Sequence, residues 1–167
     1  IVSSGWLSNT TAALGAGAGI YNAGHLTLTH STVSGNVAVA SSGGGIYQNG
    51  ATAALHLLDS AILSNTAQQG GGLHVAGGAA TLSNAVVSTN VVTNSASAYG
   101  GGIFVSSSST VVTLTNSTVV RSNSAFHNGG GLFVENGTLW LVDSTLSANR
   151  ANSFGGGLYI GAGASHV

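Results

Sequence analysis

A run of glycines that leads into an aliphatic residue and then an aromatic one recurs along the chain and constrains its fold. The most complete copy is GGGLFV at residues 129–134. Further copies lie at residues 17–21, 43–47, 70–75, 100–105 and 155–160. The last glycines of successive copies are 26 to 30 residues apart. Self-similarity at this period predicts a repeat architecture in which each repeat packs on its neighbours.

A second signature in each repeat is an apolar residue, two small or polar residues and then Asn. The six copies begin at Trp6, Val33, Ile62, Val87, Val120 and Leu146 and end at Asn9, Asn36, Asn65, Asn90, Asn123 and Asn149. The fifth copy has an alternative alignment one residue earlier, with Val119 and Ser122. Stacked Asn side chains at such positions can hydrogen-bond along the repeat axis and to turn backbone.

The residues between the two signatures alternate between apolar and polar types, as in LTLT at 26–29 and VTLT at 112–115. Alternation with period two and many β-branched residues predict strands. Each repeat therefore contains three short strands, separated by turns rich in Gly, Ser and Asn. The predicted fold is all-β: a single right-handed parallel β-helix of about six coils of 26–30 residues. It forms one domain over residues 1–167, with partial coils at both ends.

Equivalent strands of successive coils pair about 4.8 Å apart, so their inward residues form columns. The first predicted column is Ile20, Ile46, Leu73, Ile103, Leu132 and Leu158. The second is Leu28, Leu57, Leu82, Leu114 and Leu141. The third is Trp6, Val33, Ile62, Val87, Val119 or Val120, and Leu146.

The paired GGG-[Ile/Leu] and apolar-x-x-Asn signatures resemble the repeats of the polymorphic outer membrane proteins and of bacterial β-helical surface proteins. The resemblance covers nearly the whole chain and recurs about six times. It implies a right-handed parallel β-helix, surface display and often adhesion, and it supplies no catalytic residues. We therefore expect an extracellular or cell-surface location.

Charge is nearly absent from the chain, which contains two Lys or Arg and three Asp or Glu residues. A net charge of −1 argues against nucleic acid or an anionic membrane as a partner. There is no Cys to form a disulfide or a thiolate metal site. No apolar run approaches the roughly 20 residues that a membrane-spanning helix needs.

The two ends of the chain are predicted to complete one another. Written ahead of residues 1–9, residues 165–167 align without a gap on residues 138–149. The sequence offers no polar cap or charged edge near the N-terminus, where residues 1–58 contain no Asp, Glu, Lys or Arg. We expect either head-to-tail stacking of identical units into a fibre, sheath or stalk, or one block of a longer β-helix. The predicted assembly-end residues are Ile1, Val2, Trp6, Leu158, Tyr159, His166 and Val167.

The residue after each inward Ile or Leu of the glycine signature is predicted to point outward. These residues are Tyr21, Tyr47, His74, Phe104, Phe133 and Tyr159. Stacked aromatic side chains stabilise neighbouring strands. They could also form an exposed stripe for lateral packing, protein docking or sugar binding, as in an adhesin stalk. Glycans or surface proteins are therefore alternative partners to a second copy of the chain.

The acidic residues do not form the pair that glycoside hydrolysis requires. Asp59 and Asp143 are expected at equivalent positions three coils apart, roughly 14 Å, whereas a catalytic carboxyl pair is about 5–9.5 Å apart. Glu135 is near the first strand of the coil that contains Asp143 and faces another way. We predict a protein without catalytic residues, cofactor or metal.

Two other binding chemistries fit only fragments of the pattern. His30 and His56 are one coil apart but in different columns, which leaves a zinc pair as a minor alternative. The Thr residues of 27–29 and 113–115 are typical of ice-binding solenoids, but His56 and Leu58 interrupt the array. The glycine runs lack the Lys and the following helix of a phosphate loop.

Overall fold

The computed structural model describes residues 1–93 and 98–166, and it shows an all-β solenoid of about six coils. Within those residues, 23 strands form three sheets, and each strand pairs in parallel with its equivalents in the neighbouring coils. The described residues contain no helix that is long and apolar enough to cross a membrane.

The first sheet contains both the strands that follow the glycine runs and the strands of the alternating stretches. The former are β4 (Ile20–Asn22), β8 (Ile46–Gln48), β12 (Leu73–Val75) and β16 (Ile103–Val105). The latter are β1 (Val2–Ser3), β5 (His25–Thr29), β9 (Ala54–Leu58), β13 (Ala79–Ser83) and β17 (Val111–Thr115). Two long strands, β20 (Leu132–Leu141) and β23 (Leu158–His166), run through both stacks and join them.

The other two sheets each contribute one short strand to every coil. The second sheet consists of β2 (Trp6–Ser8), β6 (Thr32–Ser34), β10 (Ala61–Leu63), β14 (Val86–Ser88), β18 (Val119–Arg121) and β21 (Thr145–Ser147). The third consists of β3 (Thr11–Ala12), β7 (Val37–Ala38), β11 (Thr66–Ala67), β15 (Val91–Val92), β19 (Ser124–Ala125) and β22 (Arg150–Ala151). The three parallel sheets confirm the predicted fold class. The two-residue strands after the Asn signature were too short to be recognised by periodicity.

The hydrophobic core follows the predicted columns. Strand pairing places Leu73 between Ile46 and Ile103, and Leu82 between Leu57 and Leu114. These central residues are fully buried. Val2 extends the second column below Leu28, and Leu141 is its exposed upper end. Each fully buried aliphatic side chain stabilises the fold by roughly 1.5–3 kcal/mol.

The first copy of the Asn signature was predicted one residue out of register. Leu7, not Trp6, pairs with Val33 in the core column, and Trp6 is 75% exposed. In the fifth copy the structure selects Val120, which pairs with Val87. Asn9 is therefore also one residue out of register, and Thr10 occupies the position that Asn36 and its equivalents hold in the other coils. Its backbone N–H and its hydroxyl both donate to Asn36 Oδ1.

The buried Asn side chains form a ladder through the described coils. Each rung receives two hydrogen bonds from the rung below and donates to a core carbonyl. For example, the Asn65 backbone N–H and Nδ2 both donate to Asn90 Oδ1, at 2.9 and 3.0 Å. Asn90 Nδ2 in turn donates to the Ile62 carbonyl at 3.0 Å. The ladder therefore satisfies buried backbone groups at the turn that the sheet hydrogen bonds leave open.

The glycine run and the Asn ladder meet inside each coil. A Cβ added at Gly45 would lie 2.9 Å from Asn65 Nδ2 and 2.6 Å from the Gly72 carbonyl of the next coil. Gly72, Gly102 and Gly131 are equally close to the Asn of their own coils. Only a residue without a side chain leaves room for the buried amide at this corner.

Replacing Asn90 with Ala should lower the free energy of unfolding by about 3 kcal/mol or more. The substitution leaves the Asn65 N–H and one hydrogen of Asn65 Nδ2 buried without an acceptor, at roughly 1–3 kcal/mol each. Denaturant unfolding monitored by circular dichroism measures the change. Asn49→Ala is the matched control, because Asn49 is exposed and outside the ladder. Equal stability of the two variants would contradict the role of the ladder.

Candidate functional site

The predicted aromatic residues form one continuous stack along the first sheet. Ring centroids of successive members are 4.5–5.5 Å apart from Tyr21 to Tyr159. Each member follows an inward-facing Ile or Leu in its strand, so the period-two geometry aligns the rings. Aromatic pairs at these distances contribute about 0.5–1.5 kcal/mol beyond their burial. We call this set of Tyr21, Tyr47, His74, Phe104, Phe133 and Tyr159 the aromatic column.

The middle of the aromatic column is not the exposed stripe expected from the sequence. His74, Phe104 and Phe133 are only 2–5% exposed, whereas Tyr21 is 55% exposed. Each central ring packs between the rings above and below it, with centroids 4.5–5.3 Å apart. The outward direction was predicted correctly, but the central rings are covered and cannot stack on a ligand.

Tyr99 contributes to this cover and was not identified from the sequence. Its ring stacks on that of Phe133, with centroids 4.8 Å apart and planes inclined by 19°. It also lies 6.4 Å from the ring of Phe104. Tyr99 directly precedes a glycine run, where the other coils have Ser42, Gln69, Asn128 or Phe154. Its position directly before a glycine run could have identified Tyr99 from the sequence, because a residue there packs back across the strand that follows the run.

His74 is the polar member of the aromatic column and is held neutral there. Its Nε2 is 2.8 Å from Ser106 Oγ, while its buried Nδ1 has no hydrogen-bond partner. Burial lowers the pKa of His74 from 6.5 to about 3. At the exposed end of the column, partial burial and secondarily the neighbouring Tyr21 phenol raise the pKa of Tyr47 above its ordinary 10.0. The column therefore carries no charge at neutral pH.

A polar groove lies at the corner between the strands of the alternating stretches and the second sheet. It has a volume of about 330 Å³ and includes His30, Asp59 and Asn84 in its lining. Asn84 Nδ2 donates to Asp59 Oδ1 at 2.7 Å, and His30 Nε2 lies 3.6 Å from Asp59 Oδ2. All three residues have φ near +49°, so the turn presents them as a column. Because His30 and Asp59 are both well exposed, their ion pair adds little stability.

The carboxylates lie apart from one another, and His30 and His56 lie in different columns, as their positions in the sequence indicated. Strand register puts Asp59 and Asp143 at equivalent turns three coils apart. Glu135 lies on β20 and is exposed. His56 pairs with Thr27 in mid-strand, whereas His30 lies at the turn. Residues 1–93 and 98–166 contain no group of three or more His, Asp or Glu side chains that could hold a metal ion.

The predicted assembly-end residues lie on the first and last coils. Ile1 is 96% exposed, and Val2 and Leu158 are partly buried in end positions of the core. His166 pairs through its backbone with Thr138, and Val167 lies outside the described residues. Trp6 lies on the outer face. Leu7 occupies the inward position that the sequence analysis predicted for Trp6.

Replacing Phe104 with Ser should destabilise the fold rather than weaken binding to a ligand. Truncation of a buried Phe costs about 3–5 kcal/mol because it removes apolar contacts and leaves a cavity. Tyr21→Ser, at the exposed end of the same column, should cost only about 1 kcal/mol. Chemical denaturation of both variants tests the difference. Similar losses would show that the central rings are not buried in solution.

The buried His74 should make stability depend on pH in a defined window. The unfolded chain binds this proton more readily, so the free energy of unfolding falls as the pH decreases from 6.5 to about 3. The slope from this residue is at most about 1.4 kcal/mol per pH unit. The difference in melting temperature between the wild type and His74→Phe, measured against pH, isolates this contribution. His56→Gln, at an exposed position, should retain the wild-type dependence. A pH-independent difference would refute this effect.

Comparison with known proteins gives one match, to a family model described as a right-handed β-helix region, over residues 16–167. Neither the curated proteins nor the solved structures contain a significant match to this chain. The family match covers most of the chain, and the structure has the parallel three-sheet solenoid that the description requires. The chain therefore belongs to the right-handed β-helix family.

Proposed function

We propose that this chain is a structural building block of an extracellular fibre, sheath or surface stalk, in which copies stack head to tail. Its family suggests a surface, structural or adhesin-type domain in general terms. The proposal of head-to-tail stacking is supported by one observation, that the strand register of the last coil matches that of the first.

The register can be followed through β5, which contains five residues. His166 pairs with Thr138, whose column leads down to His25, the first residue of β5. Val2 pairs with Leu28, the fourth residue. Val167 of one copy and Ile1 of the next would therefore supply the second and third positions. The joint has no gap, as the sequence alignment predicted. Each residue of the second copy aligns one residue earlier in 138–149 than the sequence alignment placed it.

The Asn ladder supports the same joint. Asn123, an interior rung, donates its N–H and Nδ2 to Asn149 Oδ1 above it. Asn149 is the last rung, and its side-chain amide donates to the Val120 carbonyl alone. In a stacked pair, Thr10 of the next copy would occupy the following rung. Its hydroxyl oxygen can accept a hydrogen bond while donating to Asn36.

The end coils also leave apolar side chains in water. Leu14 in the first coil is 88% exposed, and Phe154 in the last coil is 66% exposed. Core residues of the end coils, such as Val2 and Leu158, are only partly buried, whereas their equivalents in the central coils are fully buried. A further coil on either end would cover the core residues of the end coils and pair the open strand edges.

The adhesin alternative rested on the aromatic column, and the structure favours it less. The three central rings are covered, so only the two ends of the column, at Tyr21 and Tyr47 and at Tyr159, remain wholly or partly open for stacking on a sugar. The column stabilises the stack of coils through contacts between neighbouring rings. A glycan-binding stalk therefore remains the second proposal, without a specific surface in the column to support it.

The purified chain should form filaments whose length increases with protein concentration. Six coils of about 4.8 Å predict an axial repeat of roughly 29 Å. Electron microscopy with sedimentation velocity measures both properties. Leu7→Glu should suppress assembly, because stacking would bury the added carboxylate in the core while the free end coil leaves it near water.

Ala79→Glu is the control for this experiment, since it adds the same charge on the exposed face of a central coil. It should retain filament assembly with the same axial repeat. Monodisperse monomers at all concentrations would exclude head-to-tail stacking. Filaments that form equally well with Leu7→Glu would place the contact elsewhere than the coil ends.

A further inference from the structure

Three Asn-Gly pairs occur in the chain, at residues 49–50, 128–129 and 136–137, and the structure gives them different environments. In such a pair, the glycine amide nitrogen can attack the Asn side-chain carbonyl because glycine has no side chain in the way. The reaction needs an accessible amide, a free glycine N–H and a backbone that can rotate. These requirements can be checked residue by residue.

Asn49–Gly50 meets all three requirements. Asn49 is exposed in the loop between β8 and β9, and its side chain makes no hydrogen bond within the described residues. The Gly50 N–H likewise donates no hydrogen bond in this part of the chain. The backbone of Asn49 is anchored only by its N–H, which donates to the Asn22 carbonyl at 2.9 Å. Within the described residues, no hydrogen bond therefore engages either of the two reacting groups.

Asn128–Gly129 is held by the next coil. Asn128 Oδ1 accepts a hydrogen bond from the Phe154 N–H at 3.2 Å. The Gly129 N–H donates to the Phe154 carbonyl at 3.0 Å, so the attacking nitrogen is already engaged. Gly129 is buried and has φ of +65° at the corner of the glycine run. The reaction at this pair would require the corner to open.

Asn136–Gly137 lies within the long strand β20. Asn136 pairs with Gly163 of β23, and its Nδ2 donates to the Ser106 carbonyl at 3.0 Å. Gly137 is buried against the carbonyls of Ser107 and Thr110. Rotation of the Asn136 backbone would break its pairing with β23, so this pair is also protected.

We propose that Asn49–Gly50 is a site of spontaneous deamidation in the folded protein. The Gly50 nitrogen forms a bond to Asn49 Cγ, ammonia leaves with the Gly50 amide proton, and a succinimide results. Water then opens the ring at either carbonyl, which gives aspartate or isoaspartate. The reaction needs no oxidant or other co-reactant, and its rate increases with pH because the attacking nitrogen must lose its proton.

The product would change the local surface without disrupting the coil. Residues 1–58 contain no Asp, Glu, Lys or Arg, so the new carboxylate is the first acidic side chain in this segment. The loop of residues 49–53 can accommodate the extra backbone atom of isoaspartate, because it lies outside the paired strands. The modification therefore marks aged molecules while leaving the solenoid folded.

Incubation of the intact chain at mildly alkaline pH, followed by peptide mapping with mass spectrometry, tests the assignment. Conversion should appear first at Asn49, with Asn128 and Asn136 slower on the order of tenfold or more, because local opening that costs about 1.4 kcal/mol already reduces the reactive population tenfold. In denaturant, the three pairs should react at similar rates. Asn49→Gln should remove the early acidic product while circular dichroism remains unchanged.

Two results would overturn the proposal. One is conversion of Asn128 or Asn136 in the folded chain as fast as that of Asn49. The other is an unreactive Asn49 in the folded chain under conditions where the denatured chain reacts. Neither outcome depends on filament formation, so the proposed structural function is tested separately.

Discussion

The approach of a glycine backbone to a buried Asn amide is the contact on which every coil depends. At Gly45 the amide of Asn65 and the carbonyl of Gly72 in the next coil occupy the space of a side chain. The amide must be there because its Oδ1 accepts the backbone N–H of Asn36, at the turn after β6, while its Nδ2 donates to the Val33 carbonyl. A larger residue at the corner would displace the amide, and a residue other than Asn would leave the corner backbone unsatisfied. This reciprocity explains why the two signatures recur together.

The ladder also holds a strained turn. The residue before each rung has positive φ, and these residues are Asn9, Gly35, Ser64, Thr89, Ser122 and Ala148. Such a conformation costs L-residues roughly 1–2 kcal/mol. Ala148 adopts it although it has neither the freedom of glycine nor a side chain that can hydrogen-bond locally, whereas Thr89 Oγ1 donates to the Ser88 carbonyl at 2.7 Å. The two hydrogen bonds that each rung receives offset this strain, and the turn in return aims the Asn side chain into the core.

The repeat period made most of the fold predictable from the sequence. Period, alternation and pairing are geometric consequences of one another, so the columns through Leu73 and Leu82 were assigned correctly. The error at Trp6 came from choosing the larger apolar residue together with the nearest Asn. Only the hydrogen bonds of Thr10 to Asn36 Oδ1 show that a hydroxyl ends the ladder. The burial of Phe104 was equally hidden, because alternation specifies the direction of a side chain and not what covers it.

The stability of such a solenoid comes largely from contacts between neighbouring coils, and each end coil has a neighbour on one side only. Central residues such as Ile62 and Val87 have a partner above and below, whereas Leu7 and Leu146 have a partner on one side. The same asymmetry applies to hydrogen bonds, since each rung completes the one beneath it. Each coil therefore takes part of its strand pairing and hydrogen bonds from the coil beneath it and provides the same partners for the coil above it. This asymmetry is the reason that we propose the end coils, rather than the covered aromatic column, as the surface for association between copies.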